Sequence, residues 1–146
     1  MIRIKGEYEI EIVIQNMFNS YSLTIQDHNV VTDNGINYIM ECLTTNKTIG
    51  DVCTGTSTVP VDLTNTINDF NIHSRLTENT KKTIDNNTLT YDIQTDGKNL
   101  DGTNEIGILT EDGTILVTRD VHDTYNIPHG SVINIKYKIT LTNKLL

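Results

Sequence analysis

Three observations predict a mainly β, antiparallel fold of the sandwich type, jelly-roll or immunoglobulin-like. Long stretches of the chain alternate apolar and polar residues, as residues 2–15 and 133–141 do. A D-G pair, Asp112-Gly113, sits between two apolar runs, the mark of a tight hairpin. Units in which strand and helix alternate are missing, which argues against a parallel doubly wound sheet. About seven or eight strands and one short helix near residues 33–44 are expected.

The elements follow in order. Ile2, Ile4, Tyr8, Ile10, Ile12 and Ile14 share one face of the first strand, with Gly6 among them. Arg3, Lys5, Glu7, Glu9, Glu11 and Gln15 share the other. Asn16, Asn19 and Ser20 mark a turn, and Tyr21, Leu23 and Ile25 begin a second alternation that ends in a turn at Asp27, His28 and Asn29. Thr32 or Asp33 can cap a helix over residues 32–44. Its stripe Ile36, Ile39, Met40 and Leu43 follows helical spacing and is expected to face the core. Ile49, Val52 and Cys53 suggest a short buried strand, followed by a loop at Gly55–Pro60. Residues 64–87 read as a polar segment that crosses between sheets. Leu89, Tyr91 and Ile93 return to alternation, and residues 104–110 and 114–121 flank the D-G turn. A loop at 122–131 leads to the last strand, with Ile133, Ile135, Tyr137, Ile139 and Leu141 inward.

A chain of 146 residues fits a single domain, 1–146, with enough length to bury about 70% of its unfolded surface. The formal net charge of −8 argues against a phosphate backbone as the natural partner, and so against nucleic acid and anionic membrane surfaces. The N-terminus lacks the apolar run of a signal peptide, and no stretch reaches the ~18 apolar residues of a membrane helix. Synthesis in the cytoplasm is therefore expected. Cys42 and Cys53 form no CxxC pattern and read as two reduced thiols, with a disulfide between them as the alternative.

Motifs with chemistry are sparse. His28, His73, His122 and His129 stand in no metal-ligand spacing. Arg119, Asp120, His122 and Asp123 form the most polar cluster, read as an exposed loop in which Arg119 pairs with an aspartate. Asp92, Gln94, Asp96 and Gly97 copy part of a calcium loop, but Thr103 stands where the twelfth-position carboxylate belongs. Asp101, Asn104 and Glu105 offer a looser set of oxygens. No nucleophile elbow and no phosphate loop are present, so no catalytic, cofactor or metal residue is assigned.

Two segments, GTSTVPVDLTNT (55–66) and EIGILTEDGTILVTRDVHDTYNIPHGSVINIKYKITLT (105–142), resemble a group of small bacteriophage virion proteins of the tail-collar, tail-fibre-like and head-decoration type. The shared order is a helix after Thr32, Asp33 and Gly35, then Gly55, Thr56, Thr58, Pro60, Asp62 and Thr66, then Glu105, Ile106, Gly107 and Ile108 with the turn Asp112-Gly113, an R-D-V segment, and a long closing strand. Ser57 stands where a fuller G-T-G-T has glycine. The resemblance implies a non-enzymatic part of a virion, homo-oligomeric, that docks on capsid, portal-neck or tail proteins. The expected docking surface is the first strand: Ile2, Ile4, Glu7, Tyr8, Glu9, Ile10 and Glu11. The alternative is a carbohydrate-binding module for host glycans, with two tyrosines from Tyr21, Tyr38, Tyr91 and Tyr125 in one groove. An enzyme of the glycosidase or metal-hydrolase kind is the remaining class.

Overall fold

A computed structural model describes residues 2–15 and 20–143. Of Ile2, Gln15, Ser20, Tyr21 and Asn143 it describes the backbone only. The turn expected at Asn16 and Asn19 lies outside the described residues. The fold is mainly β and wholly antiparallel, with one α-helix. The strands are β1 (Ile2–Gln15), β2 (Ser20–Val31), β3 (Asp51–Gly55), β4 (Ile72–Arg75), β5 (Thr80–Asp85), β6 (Thr88–Asp96), β7 (Glu105–Leu109), β8 (Leu116–Val121) and β9 (Val132–Asn143). The helix α1 spans Asp33–Cys42.

Nine strands, rather than seven or eight, form one sheet in the order β4-β3-β7-β8-β2-β1-β9-β6-β5. The sheet is continuous because β2 serves both halves. Its residues Ser20–Asn29 pair with β1, and Val30 and Val31 then pair with Thr118 and Arg119 of β8. The turn expected at Asp27–Asn29 is therefore strand. Asn29 stays in the ladder because Gly6 opposite leaves room for its side chain, which donates to the Tyr137 hydroxyl.

The sheet curls because its inner faces are bonded to each other across the core. Tyr8, Tyr137 and Tyr91 stand in one register row on β1, β9 and β6. The Tyr8 hydroxyl donates to Asp120 Oδ2 at 2.6 Å, and the Tyr91 hydroxyl to the Gly50 carbonyl at 2.8 Å. The Tyr137 hydroxyl meets Thr118 Oγ1 at 2.5 Å. Tyr8 and Tyr137 stack at 5.8 Å, and Tyr91 meets Tyr137 edge-on at 6.5 Å. Each hydroxyl is thereby satisfied where water cannot reach it. Ile10, Ile12, Ile93, Ile106, Ile108, Val117, Ile133 and Ile139 fill the same core from both halves.

Two strands, β4 and β5, lie in the segment expected to cross between sheets. They occupy opposite ends of the sheet order, yet only residues 76–79 join them. The carboxylate of Asp51 accepts from Arg75 of β4 at 3.1 Å and from Lys82 of β5 at 3.0 Å. This holds the two ends of the curled sheet near each other. No ladder joins them, so the curl stops short of a closed barrel.

Helix α1 packs on β8 and corrects the expected orientation of its stripe. Thr32 caps it, accepting from Gly35 N at 2.9 Å while its own hydroxyl donates to the Leu116 carbonyl at 2.5 Å. A Cβ on Gly35 would stand 2.1 Å from the Val117 carbonyl oxygen. The contact line is thus Gly35 and Ile39, one turn apart, and both are buried. Ile36, Met40 and Leu43 turn outward, with Leu43 61% exposed.

In an exposed helix Gly→Ala gains about 1 kcal/mol. Gly35→Ala is expected instead to lower stability by about 2 kcal/mol, because the added methyl meets backbone. Urea unfolding monitored by circular dichroism checks this.

Candidate functional site

Strand β1 is not a free edge. It pairs with β2 on one side and β9 on the other, so it cannot take an added strand. Tyr8 and Ile10 are buried and Ile4 is half-buried against the core, so these three present no docking surface. The side chain of Ile2 lies outside the described residues. Glu7, Glu9 and Glu11 do face outward, but they are flanked along β9 by Lys138, Lys136 and Asn134. Glu9 accepts from Gln26 Nε2 at 2.8 Å and Glu11 from Asn134 Nδ2 at 2.9 Å. The result is a shallow polar trough of about 440 Å³ with charges of both signs.

The second-half cluster is also rearranged. Arg119 is 0% exposed and pairs with Glu105, also 0% exposed, at 2.9 Å; no aspartate takes that place. Glu105 Oε2 accepts from the backbone N–H of Ser57 at 2.6 Å and of Asn71 at 2.9 Å. Arg119 Nη1 donates to Asn65 Oδ1 at 3.0 Å. One buried ion pair thus ties the segment 56–71 to β7 and β8. Every strong donor and acceptor in the group is used inside the protein.

Asp120 accepts from Tyr8, and burial raises its carboxyl above the usual aspartate range while the Tyr8 hydrogen bond opposes that shift. His122 stacks on Tyr125 with ring centres 3.8 Å apart, and its Nδ1 lies 2.8 Å from the Asp123 carbonyl. Burial lowers its pKa. Among the described residues, no three His, Cys, Asp or Glu side chains are placed to share a metal ion. Asp92, Gln94 and Asp96 lie along β6 rather than in a loop, and the Asp96 carboxylate accepts from Lys98 N at 2.9 Å. Cys42 and Cys53 are both free thiols, so the disulfide alternative is excluded; burial pushes Cys53 up to about 11.

Among the described side chains, the tyrosines do not form the expected pair. Tyr91 is buried, the Tyr38 hydroxyl donates to the Thr48 carbonyl, Tyr125 stacks on His122, and the Tyr21 side chain is outside the described residues.

What does stand open is apolar. Ile36, Met40 and Leu43 run along the outer side of α1. Leu63, half exposed, adjoins the start of the helix, its carbonyl accepting from Asp33 N at 2.8 Å. At the other end Leu43 enters a groove of about 540 Å³ lined by Ile39, Ile49, Ile84, Leu89 and Leu141. Ile84, on β5, is 80% exposed. An apolar band therefore runs from Leu63 along α1 to β5; among the described residues Leu23, Val59 and Ile72 are the other large apolar side chains left exposed.

Comparison with protein-family models, with curated proteins and with solved structures finds no match. The geometry of the chain itself has to carry the functional reading. The band offers contact area, with the free Cys42 thiol and Lys82 at its groove, and sequence reasoning missed it by assigning the helix stripe to the core. The available signal was Gly35, a residue with no side chain one turn before Ile39.

Two outcomes test this description. Glu105→Gln leaves Arg119 buried without its counter-charge and is expected to cost about 3–5 kcal/mol in urea unfolding, far beyond a surface change. For Asp120, the raised folded-state pKa means that the folded protein holds the proton more tightly. Its contribution to stability is present below the unfolded value of about 3.9 and is lost as pH rises through the raised value. Relative to Asp120→Asn, the wild type is therefore expected to lose stability between pH ~4 and neutrality, read from urea midpoints across that range.

Proposed function

We propose that the chain is a non-enzymatic structural module of a bacteriophage particle, an accessory β-sandwich-type domain that docks on a larger head or neck-tail protein through the apolar band on α1. Two things support the reading. The first is the resemblance of residues 55–66 and 105–142 to small virion proteins. The second, which carries it, is the band itself: Leu63, Ile36, Met40, Leu43 and Ile84 are five of the eight large apolar side chains exposed among the described residues, the others being Leu23, Val59 and Ile72.

The physical logic is burial. A band of this kind is stabilised by about 25 cal/mol per Å² when a partner covers it. The curled sheet beneath it supplies a rigid base, so little ordering cost falls on association. The wider β-sandwich assignment rests on the same base: two inner faces share one core, as the layers of a sandwich do.

Co-expression with the other virion proteins, followed by particle purification, tests the reading. Met40→Glu combined with Leu43→Glu is expected to abolish incorporation while leaving the circular dichroism spectrum unchanged, because both side chains are exposed. Normal incorporation of the folded double variant would overturn it, and so would the absence of the wild-type chain from particles.

A further inference from the structure

Strand β5 carries a second contact surface, which meets the α1 band at Ile84 and is otherwise separate from it. Among the described residues β5 has a ladder on one side only, to β6, so its other edge is open. Lys81 to Asp85 are all exposed. The register with β6 sets the faces: Lys81, Thr83 and Asp85 lie opposite Asp92, Thr90 and Thr88, whereas Lys82 and Ile84 lie opposite Tyr91 and Leu89 on the inner face. The strand is held firmly. Asp85 pairs with Thr88 across a two-residue turn, and the Asn87 carbonyl of that turn accepts from Leu141 N at 2.9 Å.

We propose that β5 is a self-association edge, on which two copies of the chain pair antiparallel about Thr83. A two-fold axis through Thr83 places Lys81 of each copy opposite Asp85 of the other, twice over, on the outer face. On the inner face it places Ile84 opposite the aliphatic stem of Lys82, which covers an isoleucine that is 80% exposed in the single chain.

Charge selects this register. An axis through Lys82 would set Lys81 opposite Thr83 and leave Asp85 without a cation. An axis through Ile84 would set Asp85 opposite Thr83 and leave Lys81 unpaired. Parallel alignment would put Lys81 beside Lys81. Lysine on an open edge usually deters pairing. Here Lys82 is paired with Asp51 at 3.0 Å, a carboxylate it shares with Arg75, and Lys81 has its complement four residues away. The other edge, β4, lacks this arrangement: Ile72, His73, Ser74 and Arg75 include no acid, and Arg75 is already bonded to Asp51.

Sedimentation equilibrium of the purified full chain tests the pairing. The wild type is expected to show a reversible monomer–dimer equilibrium. Lys81→Asp and Asp85→Lys, each alone, replace two attractions with two repulsions and are expected to weaken dimerisation roughly tenfold or more. Mixing the two single variants is expected to restore association as a heterodimer, because each then faces its opposite. Among the described residues neither side chain bonds to another, so both variants are expected to stay folded; Asp85→Lys, opposite Thr88, should unfold with the wild type, and Lys81→Asp, which sets an acid opposite Asp92, slightly below it. A wild-type chain that stays monomeric overturns the proposal, as does a dimer that either single variant leaves intact or a mixture that fails to pair. These outcomes concern β5 alone; particle incorporation through Met40 and Leu43 is read separately and can succeed or fail on its own.

Discussion

The buried ion pair between Glu105 and Arg119 is the constraint from which the exposed surface follows. Neither side chain meets water, so each charge must be answered inside the protein. Glu105 answers with Arg119 and with the amides of Ser57 and Asn71, and Arg119 adds Asn65. These bonds fix a segment that contains little regular structure of its own. The same segment presents the Leu63 carbonyl to Asp33 at the start of α1. Thr32 and Gly35 then seat the helix on β8. The direction of the apolar stripe is thus set by a chain of contacts that begins at a charge pair in the core.

The tyrosine row plays the corresponding part for the sheet. An antiparallel sheet of nine strands twists on its own, but twist alone does not bring two faces together. Tyr8, Tyr91 and Tyr137 do so by spanning the core and ending on polar groups of the opposite half. Because β2 passes from one half to the other, the curl costs no loop and leaves no seam. What remains for function is the outside: a polar face on β1, β2 and β9, an apolar band on α1, and an open edge at β5.

Much of the sheet was legible because alternation is read wherever one face is wet and the other dry. β1, β6 and β9 meet that condition, and the hairpin at Asp112-Gly113 is confirmed by Gly113 at φ 71°. β5 does not meet it: Lys81, Thr83 and Ile84 are all exposed, so no contrast between faces exists to be read. The helix was placed correctly, but periodicity tells which residues share a side and not what covers that side. The ion pair was hidden for a related reason. Glu105 and Arg119 are fourteen residues apart and look like surface charges. Both nevertheless sit in strands whose neighbours Ile106, Ile108, Leu116 and Val117 are buried, and a charge in such a run needs a partner. Tyr8 and Ile10 of the expected first-strand surface are buried because regular alternation marks a good strand, and a good strand belongs in the middle of a sheet.

Amide hydrogen exchange resolved by residue tests the dependence of the surface on the core most directly. The N–H groups of Ser57, Asn71 and Asp33 should exchange as slowly as those of Ile106 and Val117, through global unfolding, although they lie outside or at the ends of regular elements. Exchange at these three positions far faster than in β7 and β8 would contradict the account, since the segment and the helix start would then open without the ion pair that is said to hold them.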